Sequence, residues 1–417
     1  MATVAPSRIL DRVTLARTAD WLAVATAASL PWSTSATSIL IVLWLIALAP
    51  ALDWVELRHE ARTLAGGLPV LLVLLGIAGT LWADVSLLER WKGLDSFLKL
   101  LVIPLLLVQF RASERGAWVF GAYALACVGL LVLSFILASW PHPILLFSID
   151  YGVAVKNAAT QSGEFATCIF GFLFLAREAM ARRQWPWLVA LLAAILAMLA
   201  DIFFVATGRT ALVVMLVLLV LFAARQLTPR AAMLLFAGAI VIGAVAWAAS
   251  PYLRARTEQI WTDFQRYETS DTRNSSGERI EFARKSIEFI REAPIFGHGT
   301  GSIHALFEKA AAGHSGAEGV AAANPHNQTF AVAIQIGLVG AAVLWAMWVA
   351  HLALFRGADL ASWIGLVVVT QNIVGSLFNS HLFDFAQGWV YVFGVGVAGG
   401  MVLRNKRACP IKTATSA

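Results

Sequence analysis

The sequence predicts an all-α polytopic membrane protein. The chain is 59% hydrophobic and 13% charged over 417 residues, against about 25% charged in an ordinary soluble domain. Apolar runs of roughly 17 to 25 residues recur along nearly its whole length, the span needed to cross a hydrocarbon core about 30 Å thick. The runs are continuous, whereas strands of a spanning barrel alternate apolar and polar faces. About 12 membrane helices are expected, at 19–32, 34–50, 69–83, 87–110, 116–139, 157–177, 185–206, 208–224, 230–250, 326–355, 359–379 and 385–403. The chain then divides into helices one to nine in 1–250, one large polar loop in 251–325, and helices ten to twelve with a tail in 326–417.

Each part has its own justification. Arg8, Arg12 and Arg17 precede the first run, but no small-residue cleavage site follows, so a retained first helix is expected. With a cytoplasmic N-terminus, seventeen basic residues fall on inner segments and five on short outer turns, a partition that orients the helices with both termini cytoplasmic. The loop from Pro251 to Pro325 then lies outside with nine basic residues, and long translocated segments do not obey that charge rule. Within it, Ser275 and Glu278 have capping-box spacing, Ile280, Ala283, Ile287 and Ile290 follow at helical intervals, and Pro294 ends the helix. An amphipathic helix lying over the membrane surface as a lid is expected. The net charge of +6 is scattered over the ends of apolar runs, which argues against nucleic acid. Cys127, Cys168 and Cys409 have no disulfide or zinc spacing, and His298, His304 and His314 come without cysteines or clustered carboxylates. No metal and no cofactor are expected.

Three residues carry the chemical argument. Arg209, between two long runs at the outer rim, reads either as a snorkelling anchor or as a planar fork gripping a phosphate. Arg279 falls in the first turn of the loop helix, where free backbone N–H groups favour an anion, or it is a solvated surface residue. Arg266, Arg273, Arg284 and Lys285 lie nearby in sequence, a cationic cluster that calls for an anionic partner. His326 stands where the loop re-enters the membrane; it reads as a helix-start cap or as a general base, for which neutral imidazole is suited. Asp384, on the same side, reads as a helix N-cap or as the group orienting His326. Gly297-His298-Gly299-Thr300-Gly301 is glycine-rich but follows a helix and a proline, which makes it weak as a nucleotide motif. Asp95, Lys99, Glu164, Asp201, Gln371 and Asn372 sit in or near apolar runs, where ionisable groups face a cavity or a partner, and Asp95 and Lys99 can pair at i,i+4.

The run from Gly277-Glu278-Arg279 through Ala293-Pro294-Ile295-Phe296-Gly297-His298-Gly299 to Pro325-His326-Asn327-Gln328 and Gly337-Leu338-Val339-Gly340 resembles the O-antigen ligase and polymerase superfamily of bacterial inner membranes. The resemblance implies a GT-C-like, lipid-carrier-dependent inverting glycosyltransferase with His326, Arg279 and Arg209 as catalytic residues. Asp384 matches the family's orienting position, while Arg266, Arg284, Lys285 and Lys99 are expected, on charge alone, as further contacts to pyrophosphate. The reaction it implies moves O-antigen from undecaprenyl pyrophosphate to a sugar hydroxyl of lipid A-core in the periplasm, without metal. O-antigen polymerase and protein O-oligosaccharyltransferase remain alternatives, as does a lipid-linked glycan transporter from a different class. One dominant late loop favours the ligase.

Overall fold

The computed structural model describes residues 11–139, 152–153, 155–255, 257–258, 262, 275–316 and 318–408. The elements are α1 Arg12–Ser29, α2 Thr34–Leu48, α3 Trp54–Glu60, α4 Leu64–Gly79, α5 Leu87–Leu98, a 3₁₀ turn Lys99–Leu101, α6 Val102–Ala112, α7 Gly116–Ser139, α8 Ala158–Ala181, α9 Trp185–Phe204, α10 Arg209–Gln226 and α11 Pro229–Ala249. After these come α12 Ser275–Glu292, α13 Ile303–Ala311, α14 Gln328–Leu354, α15 Leu360–Gly375 and α16 Phe385–Ala408. Side chains of Asp11, Ser33, Asp53, Thr63, Ser86, Asn157, Thr228, Asn327 and Asp359 cap their helices by accepting from first-turn N–H groups. Helix α10 differs: its N-cap is Gly208, with no side-chain cap bond, and Arg209 is its first residue.

Every predicted apolar segment falls on a helix, yet only seven helices among the described residues are long and apolar enough to cross a membrane. An eighth is reached if α3 and α4, bent by 84°, are one span. Helices α2 and α15 are apolar but short, and α8 carries Glu164, Arg177 and Glu178. The bundle is closest where Gly396, Gly399 and Gly400 of α16 meet Leu106, Leu107 and Phe110 of α6; a Cβ on Gly400 would lie 2.7 Å from that of Phe110. Small residues at such seams let helices approach in lipid, where no hydrophobic force drives them together.

Hydrogen bonds define two ends. At one end Arg111 pairs with Glu56 and Glu60, Arg407 with Glu56, Arg115 with Asp20, and Arg225 donates to the carbonyl of Arg356. At the other, Lys156 donates to the Leu30 carbonyl, Trp82 to that of Gly297, and Lys99 to those of Phe383 and Asp384. Helices α12 and α13 sit at this second end. They form a small separate core with the first turns of α14: Phe282, Phe289, Ile303, Phe307, Ala331 and Ile334.

Helix α12 packs on the protein through its aromatic face. Phe282 and Phe289 are 4% and 6% exposed, whereas Ile280 and Ile287 are 37% and 41% exposed. Two apolar stripes share this helix, and the aromatic one, which buries more area per residue, faces the protein. Ser275 opens the helix; the capping geometry expected there rests on side chains outside the described residues.

The glycine-rich segment is a strut. Helix α14 is interrupted at Ile336 and Gly337, and the freed backbone is answered from outside: the His298 and Gly299 amides donate to the carbonyls of Ile334 and Gln335, and the Leu338 amide to that of Pro294. Thr300 donates through its amide and hydroxyl to Gly79 and Gly76 of α4. The Gly297 and Gly299 amides are thereby committed to backbone carbonyls, which removes the weak phosphate-loop reading. Broken backbone at membrane depth is stable only when satisfied by protein in this way.

Candidate active site

Where the loop segment meets α14, the second end of the bundle holds a cavity of about 530 Å³, lined among others by Glu89, Lys92, His304, Asn324, His326, Asn379 and Asp384. A smaller cavity of about 250 Å³ adjoins it, sharing Asn379 and Asp384 and lined otherwise by neutral polar groups including Asn157, Thr160, Thr210, Gln371, His381 and Gln387. Burial pushes the His381 imidazole down to about 4, so it is neutral there too.

His326 lies just before α14 with φ of 53°, a left-handed conformation uncommon outside glycine. Its backbone N–H donates to Oδ1 of Asn324 at 2.8 Å, and its Nδ1 is 3.0 Å from Oδ1 of Asn379. Asn324 also binds Oδ1 of Asn379 through Nδ2 at 3.0 Å and accepts from Ser380 at 2.7 Å. Phe282 of α12 stacks on the imidazole, 16° from parallel with centroids 5.9 Å apart. Next along the chain, Asn327 caps α14, and Oε1 of Gln328 accepts from the amides of Leu382 and Phe383 at 3.0 and 3.2 Å. Each residue of Asn324–Gln328 except Pro325 therefore bonds to the 376–383 loop or orders the first turn of α14.

The three arginine and histidine candidates converge. Arg279 stands one turn before Phe282 on α12, and the charges of Arg279 and Glu278 both reach His326. Burial holds the His326 imidazole below its ordinary 6.5 and Arg279 lowers it further, while the Asn379 bond and Glu278 pull upward. Partial burial and the neighbouring charge of Arg209 lower the Arg279 guanidinium. Two cations held close enough to repel, at the start of α10 and in the first turn of α12, make a place for an anion.

The other candidates are placed differently. Lys99 is buried, and its Nζ is held by the Phe383 and Asp384 carbonyls at 3.1 and 2.9 Å, so it ties the 3₁₀ turn after α5 to the 376–384 loop. Lys285, also buried, donates to the carbonyls of Ala310 and Glu318, joining α12 to α13 and the segment after it. Arg284 is matched by Glu281, Glu288 and Glu318. Arg266 and Arg273 lie outside the described residues. Asp384 lines both cavities, but the residue on Nδ1 of His326 is Asn379, which sequence reasoning did not single out. Asp95 and Lys99 show no ion pair, although the Asp95 charge reaches Lys99. Among the described residues no group of three or more His, Cys, Asp or Glu is placed to hold a metal ion.

Residues 193–345, which include Arg209, Arg279 and His326, match the family model described as O-antigen ligase. The match spans about a third of the chain, from α9 into α14. The similarity supports an O-antigen ligase or polymerase type of protein and agrees with the seven helices long and apolar enough to cross a membrane. Asn379 and Asp384 lie beyond the matched residues, on the loop that closes the cavity from the C-terminal side. A search among curated proteins gives no match to the chain.

Proposed function

We propose that the protein is an O-antigen ligase of the bacterial inner membrane, transferring glycan from undecaprenyl pyrophosphate to a sugar hydroxyl of lipid A-core. The observation that carries this is that His326, on the wall of a polar cavity, feels the charge of Arg279, which in turn feels that of Arg209. The acceptor oxygen bonds to the anomeric carbon as the bond to the pyrophosphate oxygen breaks, with inversion; the acceptor proton passes to His326. The departing pyrophosphate keeps the electron pair, and the two guanidinium groups stabilise its charge. That is the role a metal ion plays elsewhere, so turnover should be unchanged by EDTA. Two adjoining cavities suit a reaction between two substrates. On this reading the site faces the periplasm, both termini are cytoplasmic, and the helices make twelve crossings around the 251–325 loop.

Purified protein mixed with lipid A-core and an undecaprenyl-pyrophosphate glycan tests the reading: ladders on lipid A-core support ligation, whereas longer lipid-linked chains assign the polymerase reaction. Arg209→Ala and Arg279→Ala should each lose most activity with expression intact. Lysine at either position should restore only part, because a point charge does not reproduce the bidentate fork. Wild-type transfer by either alanine variant would remove that arginine from the site.

A further inference from the structure

We infer that Asn324 and Asn379 form a relay that sets the tautomer of His326, placing the ring proton on Nδ1 and leaving the lone pair on Nε2. The inference rests on His326 being the base, and it follows from donor and acceptor logic alone. A backbone N–H only donates, so the Asn324 atom 2.8 Å from the His326 amide is its oxygen. The other Asn324 atom is then its NH₂, which only donates, so the Asn379 atom 3.0 Å away is an oxygen. That oxygen also faces Nδ1 of His326 at 3.0 Å, so Nδ1 carries the hydrogen. A neutral imidazole has one ring hydrogen, and Nε2 is therefore free to take a proton.

An amide suits this place better than a carboxylate. It orients the ring while raising its basicity less than a full negative charge would, and it adds no such charge where Arg209 and Arg279 must receive an anion. Gln328, by accepting from Leu382 and Phe383, holds the loop that brings Asn379 to its post. Asn324 and Asn379 are positioning residues, acting through His326.

The test uses full-length protein in nanodiscs with ¹⁵N-labelled histidine, the His326 signals being identified by their loss in His326→Ala. Wild type should show a protonated Nδ1 and a bare Nε2. Asn324→Asp, nearly isosteric and touching no ring atom, turns a carboxylate oxygen toward Asn379; its amide should rotate to donate, and the ring proton should move to Nε2. kcat should then fall by about 10² or more, the usual worth of a general base, with the KM for lipid-linked donor little changed. Asn379→Asp keeps the acceptor, so it should retain the wild-type tautomer while moving the acid limb of the pH profile upward. A wild-type ring with its proton on Nε2, or an Asn324→Asp protein with wild-type tautomer and kcat, would overturn the relay. Normal transfer by His326→Ala would overturn the base reading instead and leave the tautomer result standing.

Discussion

His326 is held neutral from several sides, and the balance of its neighbours sets its pH response. Burial and Arg279 depress the imidazole below 6.5, so the base form persists into mildly acid solution, and activity should fall only as pH drops through that lowered midpoint. The groups in play are Glu278 and Arg279 on α12 and the cavity-lining Glu89, Lys92, His304 and Asp384. Followed by ring ¹⁵N shifts, the midpoint should rise in Arg279→Gln and fall in Glu278→Gln; equal midpoints in the two variants would deny either charge a hold on the ring. At this scale the sequence was legible where residue type and motif agree, as at His326, Arg279 and Arg209. Where it showed only charge, the structure adds partners that the sequence reading did not name. Arg284 looks like part of a cationic cluster, but Glu281 and Glu288 at i−3 and i+4 already announce its partners. Arg284→Gln should therefore leave the donor KM unchanged, and a marked rise would return it to the site. Asn379 was invisible because its partner is 53 positions away and an asparagine near a helix end reads as a turn residue.

Among the elements, α12 and the interrupted α14 determine where the site sits. Periodicity found α12 but chose its isoleucine stripe, because two apolar stripes on one helix score alike until a partner surface exists. Its end at Pro294 was readable, since proline supplies no amide to continue the helix. The break in α14 was not readable, because the glycine strut that satisfies it comes from a different part of the chain. Gly299 has φ of +94°, and a Cβ there would lie 2.4 Å from the Cα of Ala83. Gly299→Ala should cost more than the about 1–3 kcal/mol of left-handed strain alone, because backbone must also move. Thermal unfolding in detergent, followed by intrinsic fluorescence, should show a lowered Tm together with lost activity; an unchanged Tm would mean that the strut is not seated in α14.

For the whole molecule, the hydrophobic class and the helical segments could be read directly from composition and run length, whereas the number of crossings could not. Seven helices pass on length and hydropathy, and the shorter or more polar ones depend on neighbours that a linear reading does not see. Sidedness is open to a direct test. In a chain with its own cysteines replaced, His314→Cys, near α13, should react with an impermeant thiol reagent from the periplasm, and Arg58→Cys only after the inner membrane is opened; the reverse pattern would invert the bundle and sink the proposed reaction with it. The relay at His326 also has a birth order. Chains emerge from the ribosome N-terminus first, so both arginines and the histidine are made well before Asn379 and the Leu382 and Phe383 amides that grip Gln328. A nascent chain halted before residue 376 holds Arg209, Arg279 and His326, yet nothing defines the tautomer of its imidazole. On the proposed reading, catalytic competence is thus withheld until the last helices are in the membrane, and lipid-linked glycan is spared from half-built enzyme.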